Sequence, residues 1–258
     1  MNQVHRQQLI VDLINRKQKV TVEDLCEQFA VSEMTIRRDL RALEQEGLLK
    51  RTHGGAVSNL GRSYEPLLLV RAGENKAAKV AIGRKAAEMV RDGHSIALDV
   101  GTTTLEIARA LHDKHNLTIL TASLPIACEI ASRFPLGSDI RLIVTGGIVR
   151  PGELSLIGDI ATTTYSHLHV DLAFIGAGGV HLEEGLTEYN LEDTQVKQIL
   201  IRTAQEKVLV ADSSKFGRAT FASICPLSAI DTIVTDSGIA PDFVRALRDR
   251  HIRVVIAE

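Results

Sequence analysis

Three features of the sequence predict an α/β protein built in two parts. The first 58 or so residues carry apolar side chains at intervals of three and four, in three short runs separated by polar breaks, the spacing of amphipathic helices. Two brief β-type segments around a His-Gly-Gly tip follow them. From Asn75 onward helical patterns alternate with short continuous runs of Val, Ile and Leu. That is the pattern of an open, mostly parallel sheet covered by helices on both faces.

Val4, Leu9, Ile10, Leu13 and Ile14 give the first helix one buried stripe, and the polar segment from Lys17 to Lys19 ends it. Thr21, three residues before Asp24, is placed to cap a short second helix whose apolar face is Val22, Leu25, Cys26 and Phe29. Ala30-Val31 forms the turn. Ser32 caps the third helix, which buries Ile36, Leu40 and Leu43 and stops at Gly47. On a 100° wheel Met34, Arg38, Arg41 and Gln45 gather on the opposite side, with Arg37 on one flank and Thr35 on the other. A helix that turns Leu and Ile inward and Arg outward near its N-terminus suits entry into a DNA groove, where Arg reads guanine or grips phosphate. The segments Leu48–Thr52 and Ala56–Ser58 then make a wing whose tip carries Arg51, His53 and Gly54. The pattern predicts a winged helix-turn-helix over residues 3–58, with the helix-turn-helix at about 20–39. Ser32, Thr35, Arg37, Arg38, Arg41, Arg51, His53 and Gly54 are its candidate contacts to a double-stranded DNA operator.

Ser58 to Ser63 is polar and contains glycine, so residues 59–74 read as a linker with structure restarting at Tyr64, and residues 75–258 as the large domain. Predicted strands at 95–98, 117–121, 141–145, 171–176, 208–211, 232–235 and 253–256 alternate with helices at about 75–91, 105–111, 124–132, 160–165, 193–205 and 241–250. In such sheets ligands bind beyond the carboxyl ends of the strands. Asp99, Gly101, Thr102, Thr103 and Thr104 follow one strand and open a helix, where a phosphate is welcome. Thr121 and Ser123, Gly146 and Gly147, Gly176 with Ala177-Gly178-Gly179, and Asp212-Ser213-Ser214-Lys215 stand at other strand ends. Lys215 suits a phosphate and Asp99 sugar hydroxyls, which makes a phosphorylated small polyol the expected ligand.

The net charge of −2 splits into +1 over residues 1–58 and −3 over the rest, so any nucleic-acid face is a local cluster and not a polycation. No run of about 18 uncharged apolar residues predicts a membrane span, and the N-terminal residues do not read as a secretory signal, so a cytoplasmic protein without membrane partners is expected. Cys26, Cys128 and Cys225 are odd in number and far apart, which favours reduced, buried thiols over disulfides or a metal site. Neither a Walker loop nor a complete dinucleotide fingerprint is present, so no cofactor is expected.

Ser32-Glu-Met-Thr-Ile-Arg-Arg-Asp-Leu-Arg-Ala-Leu-Glu followed by Leu49-Lys-Arg-Thr-His-Gly-Gly-Ala56 resembles the signature of the DeoR family of bacterial transcription regulators. The resemblance implies DNA contacts through the third helix and the wing, and a sensor domain similar in fold to ribose-5-phosphate isomerase. It further implies that Asp99-Val-Gly-Thr-Thr-Thr, Asp171-Leu-Ala-Phe-Ile-Gly, Glu192 and Asp212-Ser-Ser-Lys-Phe-Gly stand at the effector site. The family often has Asn where this chain has Ala122 and Asp where it has Gly178, which implies altered sugar-facing contacts. The expected function is a repressor of a carbohydrate-utilisation operon, released by a phosphorylated sugar or derivative, and acting as a homo-oligomer, dimer or tetramer, on repeated half-sites. An activator built of the same parts, and a sugar-phosphate isomerase or deaminase carrying a DNA-binding domain, are the alternatives. No paired-carboxylate spacing or nucleophile demands catalysis.

Overall fold

The computed structural model describes residues 3–17, 19–58, 61–133 and 138–258, which fall into two compact units, 1–66 and 67–258.

The first unit runs α1 (Gln3–Lys17), β1 (Lys19–Thr21), α2 (Val22–Phe29), α3 (Glu33–Gln45), β2 (Leu49–Thr52) and β3 (Gly55–Ser58). Thr21 and Asp24 close a reciprocal capping box at the start of α2, and Ala30 ends that helix in the left-handed conformation at φ 51°. Ile10, Ile14, Leu25, Ile36, Leu40, Leu43 and Leu49 form its core, while Val4, read as part of the first stripe, lies exposed. A buried ion pair adds to this core: Arg6 Nε donates to Asp39 Oδ2 at 2.6 Å, joining α1 to the inward face of α3. Where two wing strands were expected there are three, in the order β1-β3-β2, because Val20 pairs with Ala56 and extends the hairpin. Gly55 is required at that junction, since a Cβ there would stand 1.9 Å from the Val20 carbonyl oxygen.

Two elements of the expected linker are structured. Tyr64 belongs to the first unit, where Gln8 Nε2 donates to its hydroxyl at 2.7 Å and the hydroxyl donates to Asp12 at 3.1 Å. Residues Leu68–Gly73 form helix α4, the first element of the second unit, with Val70 buried. Asn59 and Leu60 of that stretch lie outside the described residues.

The second unit continues with α5 (Lys76–Ala87), β4 (Ser95–Leu98), α6 (Thr102–Ala110), β5 (Thr118–Thr121), α7 (Leu124–Arg133), β6 (Arg141–Val144), β7 (Ile148–Arg150), β8 (Ser155–Ile157), α8 (Asp159–Ser166) and β9 (Val170–Ile175). It ends with β10 (Gly179–His181), β11 (Gly185–Glu188), α9 (Leu191–Thr203), β12 (Ala204–Val210), β13 (Ala222–Cys225), β14 (Thr232–Asp236), α10 (Pro241–Arg248) and β15 (Arg253–Ala257). Seven strands make one sheet in the order β15-β14-β12-β9-β4-β5-β6, every described neighbour pair parallel. Strand residues alternate between two cores. Ile96 and Leu98 pack with Ile82, Ile107 and Ile130 of α5, α6 and α7. Ala97 and Ile175 face Tyr165, Leu200 and Leu247 of α8, α9 and α10. The expected α/β layering is thus present. The chain runs outward from β4 to β6, then returns to start again at β9, so β4 and β9 flank the topological switch point.

Two small antiparallel sheets, β7-β8 and β10-β11-β13, were not foreseen, because strands of three or four residues leave too few alternations to read. The thiol reading is corrected as well: Cys26 and Cys225 are only half-buried and Cys128 is exposed.

Candidate nucleic-acid interface and ligand cleft

The interface grows from the cap of α3. Ser32 Oγ accepts from the Thr35 N–H at 3.3 Å and lies 3.0 Å from Thr35 Oγ1, so both candidate hydroxyls are engaged in starting the helix. One turn on, Arg37, Arg38 and Arg41 are all exposed. They differ in their partners. Arg37 Nε donates to Glu33 Oε1 at 2.7 Å, an i,i+4 pair across the helix surface. Arg38 and Arg41 make no side-chain hydrogen bond or ion pair among the described residues, and exposed Met34 shares their face. In the wing, Arg51 is tethered: Glu44 accepts from its backbone N–H at 2.8 Å and lies 3.6 Å from its guanidinium. His53 and Gly54 are exposed at the tip, and the Gly54 carbonyl accepts from the Val22 N–H at 2.9 Å, fixing the tip to α2.

In the second unit a cleft opens at the carboxyl ends of β4, β9 and β12, beside the switch point. Gly101, Thr102, Thr103 and Thr104 form one wall, Gly176, Ala177 and Gly178 a second, and Asp212 and Lys215 a third. Gly101 takes φ +156° and gives α6 no side-chain cap. Among the described residues nothing accepts from the Thr102 and Thr103 N–H groups, while Leu105 N–H returns to the Gly101 carbonyl. Four cations from four elements converge on this helix end: Arg71, Lys79, Lys197 and Lys215. Burial pulls the Lys79 ammonium down to about 8, against the nearby Asp212 carboxylate. Burial also lowers Lys215 against the attraction of Asp212, and the neighbouring Arg71 and Arg218 add to that shift. Lys215 makes no hydrogen bond through its ammonium among the described residues. Asp212, by contrast, titrates below the usual carboxylate range. Its burial is outweighed by the Ser214 hydroxyl, Lys215, Asn75 and Lys79.

Lys197 is the deepest of the four. It is buried, its ammonium bonds Asp99 Oδ2, and it lies 3.4 Å from Glu188 Oε2. Burial alone would favour the neutral amine, but Asp99 and Glu188 outweigh it and hold Lys197 charged. Asp99 Oδ2 also accepts from the Gly176 N–H at 2.9 Å, so this carboxylate ties β4 to β9 across the switch point.

Of the expected effector residues, Gly101, Thr102, Thr103, Thr104, Gly176 and Lys215 meet in the cleft. The others stand elsewhere. Asp99 lies beneath the lining, turned to Lys197 and Gly176. Thr121 donates to the Leu98 carbonyl at 2.7 Å and accepts from Ser123 N–H, while Ser123 Oγ accepts from Ile126 N–H in the first turn of α7. Gly146 and Gly147, at φ +73° and +117°, shape the turn into β7, and a Cβ on Gly147 would come within 2.6 Å of the Ile157 carbonyl oxygen. Glu192 is exposed in the first turn of α9, and it is Glu188 of β11 that joins Asp212 in lining the cleft. Arg71, Lys79, Glu188 and Lys197 escaped the sequence reading. The readable trace was a lysine on an apolar helix face: Lys79 stands three and four residues before Ile82 and Gly83, and Lys197 three before Leu200, where a solvated lysine has no place.

A helical unit with an arginine-bearing surface helix, on a chain with a ligand-type cleft in an α/β unit, defines a DNA-binding regulator with a sensor domain. Residues 6–61 match the model of the DeoR-like helix-turn-helix domain and residues 74–237 that of the DeoR C terminal sensor domain. The chain is 36% identical over 249 residues to the HTH-type transcriptional regulator YulB of Bacillus subtilis, covering 96% of this chain and 95% of that one. It is 35% identical to the regulator GolR of Listeria innocua over 98% of both chains. It is 31% identical to the glycerol-3-phosphate regulon repressor of Escherichia coli, over 98% of this chain and 99% of that one. Among solved structures, ribose 5-phosphate isomerase A from Methanocaldococcus jannaschii aligns over 55% of each chain, at 21% identity and a TM-score of 0.40. The chain belongs to the DeoR family of transcription regulators.

Proposed function

We propose that this protein is a cytoplasmic repressor of a carbohydrate-utilisation operon, released from its operator when a phosphorylated sugar or sugar derivative occupies the cleft. The observation that carries the reading is the convergence of Lys79, Lys215 and Arg71 on the open N-terminus of α6, with Asp212 and Glu188 on the same lining. Cations and unsatisfied N–H groups suit a phosphate; carboxylates a few ångströms away suit hydroxyls and repel a second phosphate. A polyhydroxylated monophosphate satisfies both demands. The name of the glycerol-3-phosphate regulon repressor among the relatives supports this class of effector. No helix among the described residues is long and apolar enough to cross a membrane, which accords with the cytoplasmic reading.

On the DNA side, Arg38 and Arg41 read base edges or phosphates, Ser32, Thr35 and Arg37 contact the backbone at the helix start, and Arg51, His53 and Gly54 follow the adjoining groove. One such unit reads too short a site for genomic specificity, so the operator-bound form is a homo-oligomer on paired half-sites. Release requires that the effector bind the DNA-incompetent state more tightly. Thermal denaturation against matched pairs of sugars and sugar phosphates tests the effector class. A phosphorylated ligand at about 100 times its Kd adds roughly 2.7 kcal/mol and raises the melting temperature, whereas its unphosphorylated partner does not. Equal stabilisation by both members of a pair would remove the phosphate from the account.

A further inference from the structure

The cleft cation that no motif announced, Arg71, has a second commitment. It lies on α4, and its guanidinium pairs with Glu153 at the turn of the β7-β8 hairpin. The two side chains are only 14% and 10% exposed, so the pair is well shielded from water. Lys79 donates to the Arg71 backbone carbonyl, which anchors the end of α4 independently of the guanidinium's pairing. The hairpin turn also sits close to the start of α4, where a Cβ on Gly152 would meet Leu67 Cδ2 at 3.6 Å. At its other side the hairpin is held by Arg150, whose Nη1 donates to Asp193 Oδ2 at 2.8 Å. Asp193 is on α9, the helix that carries Lys197. The hairpin is therefore clasped to two elements that build the cleft, and the Arg71 pair is the clasp whose cation also lines it.

We propose that Arg71 is shared between two anions, the Glu153 carboxylate and a phosphate entering the cleft, so that Glu153 is a built-in competitor that sets phosphate affinity and couples the cleft to the hairpin. This inference rests on the reading of the cleft as a phosphate site. A phosphate oxygen pair matches the guanidinium fork as well as a carboxylate does and carries more charge. Lys79 and Lys215 wait beside it, and Glu153 is not among the residues lining that wall. Once Arg71 turns to the ligand, Glu153 is left half-buried without that partner, which weakens the hold of α4 on the turn. The affinity observed is then the intrinsic affinity reduced by the fraction of Arg71 held by Glu153.

The test is titration calorimetry of the full chain with inorganic phosphate at constant ionic strength, with amide hydrogen exchange over residues 148–157. Glu153→Gln binds phosphate at least about three-fold more tightly than the wild type, Glu153→Ala shifts the same way, and Arg71→Met binds about ten-fold more weakly. Phosphate speeds exchange in the wild-type hairpin and leaves that of Glu153→Gln unchanged. Affinity in both Glu153 variants equal to or weaker than wild type overturns the sharing, because a carboxylate that merely positions Arg71 helps binding. Lys215→Met separates the two readings. If it loses phosphate binding while the Glu153 variants match wild type, only the sharing fails; if it binds as wild type does, or the wild type shows no saturable binding, both fall.

Discussion

The two units of this chain use cations in opposite ways. On α3, Arg38 and Arg41 stand in water without ion-pair partners among the described residues, on a helix whose other face is held by Ile36, Leu40 and the buried Arg6–Asp39 pair. In the cleft, Lys79 and Lys197 are buried, Lys215 and Arg71 are half-buried, and all four face carboxylates that modulate them. On the function proposed above, the contrast follows from the partners. A DNA backbone supplies its own dense charge and is met by a surface that stays solvated until contact, and affinity depends on salt through released counterions. A small ligand must be recognised against water and free phosphate, so its site is preorganised inside the fold, where each charge needs a counter-charge to be tolerated.

Changes in the cleft should therefore act first on stability and those on α3 first on binding. Lys197→Met leaves Asp99 and Glu188 buried without their cation and costs about 3–5 kcal/mol, read as a lower melting temperature by calorimetry. Arg38→Ala and Arg41→Ala each cost about 1–3 kcal/mol of operator affinity in fluorescence anisotropy and leave the melting temperature unchanged. Gly178→Asp would put a Cβ 2.8 Å from the Tyr189 ring, so it costs roughly 1–3 kcal/mol in the melt unless Tyr189 moves. Arg37→Ala has the smallest effect on DNA, below about 1 kcal/mol, because Arg37 must give up Glu33 to reach a phosphate. A larger loss for Arg37 than for Arg38 would reverse the assignment of the exposed face.

The cleft also carries a pH dependence of its own. Lys79 is lowered to about 8 by burial, with Asp212 and Glu74 opposing and Lys215 and Arg71 adding to the shift. Its positive charge is present below that value and lost above it, whereas a phosphate monoester is already a dianion at pH 7. Phosphate-ester affinity should thus fall between pH 7 and 9, and Lys79→Arg should flatten the profile. An unchanged affinity over that range would take Lys79 out of the site.

The same contrast explains what the sequence disclosed. Helix periodicity, the Ser32 cap and Gly47 placed α3 and its arginines because all lie within sixteen residues. The seven parallel strands were legible as apolar runs, and the strand-end signals at Gly101–Thr104, Gly176 and Lys215 do converge. Long-range pairing was not legible. Asp99 looks like a free acid until Lys197, ninety-eight residues later, is seen against it. Glu192 looks equivalent to Glu188 until the turn into α9 sends one outward and the other into the cleft. Arg71 lies within residues 59–74, read as linker, and its pairing with Glu153, eighty-two residues later, leaves no local trace in the sequence.

The central claim is that a phosphorylated ligand in the cleft governs the hold of the α3 arginines on DNA. It is tested most directly by anisotropy of a labelled duplex from the region upstream of the protein's own gene, titrated with a panel of sugar phosphates against wild type and Lys215→Met. The account predicts that at least one member releases the wild-type protein, while Lys215→Met binds the duplex equally well and is not released. Release of both proteins at the same concentration, or of neither by any member, would contradict it.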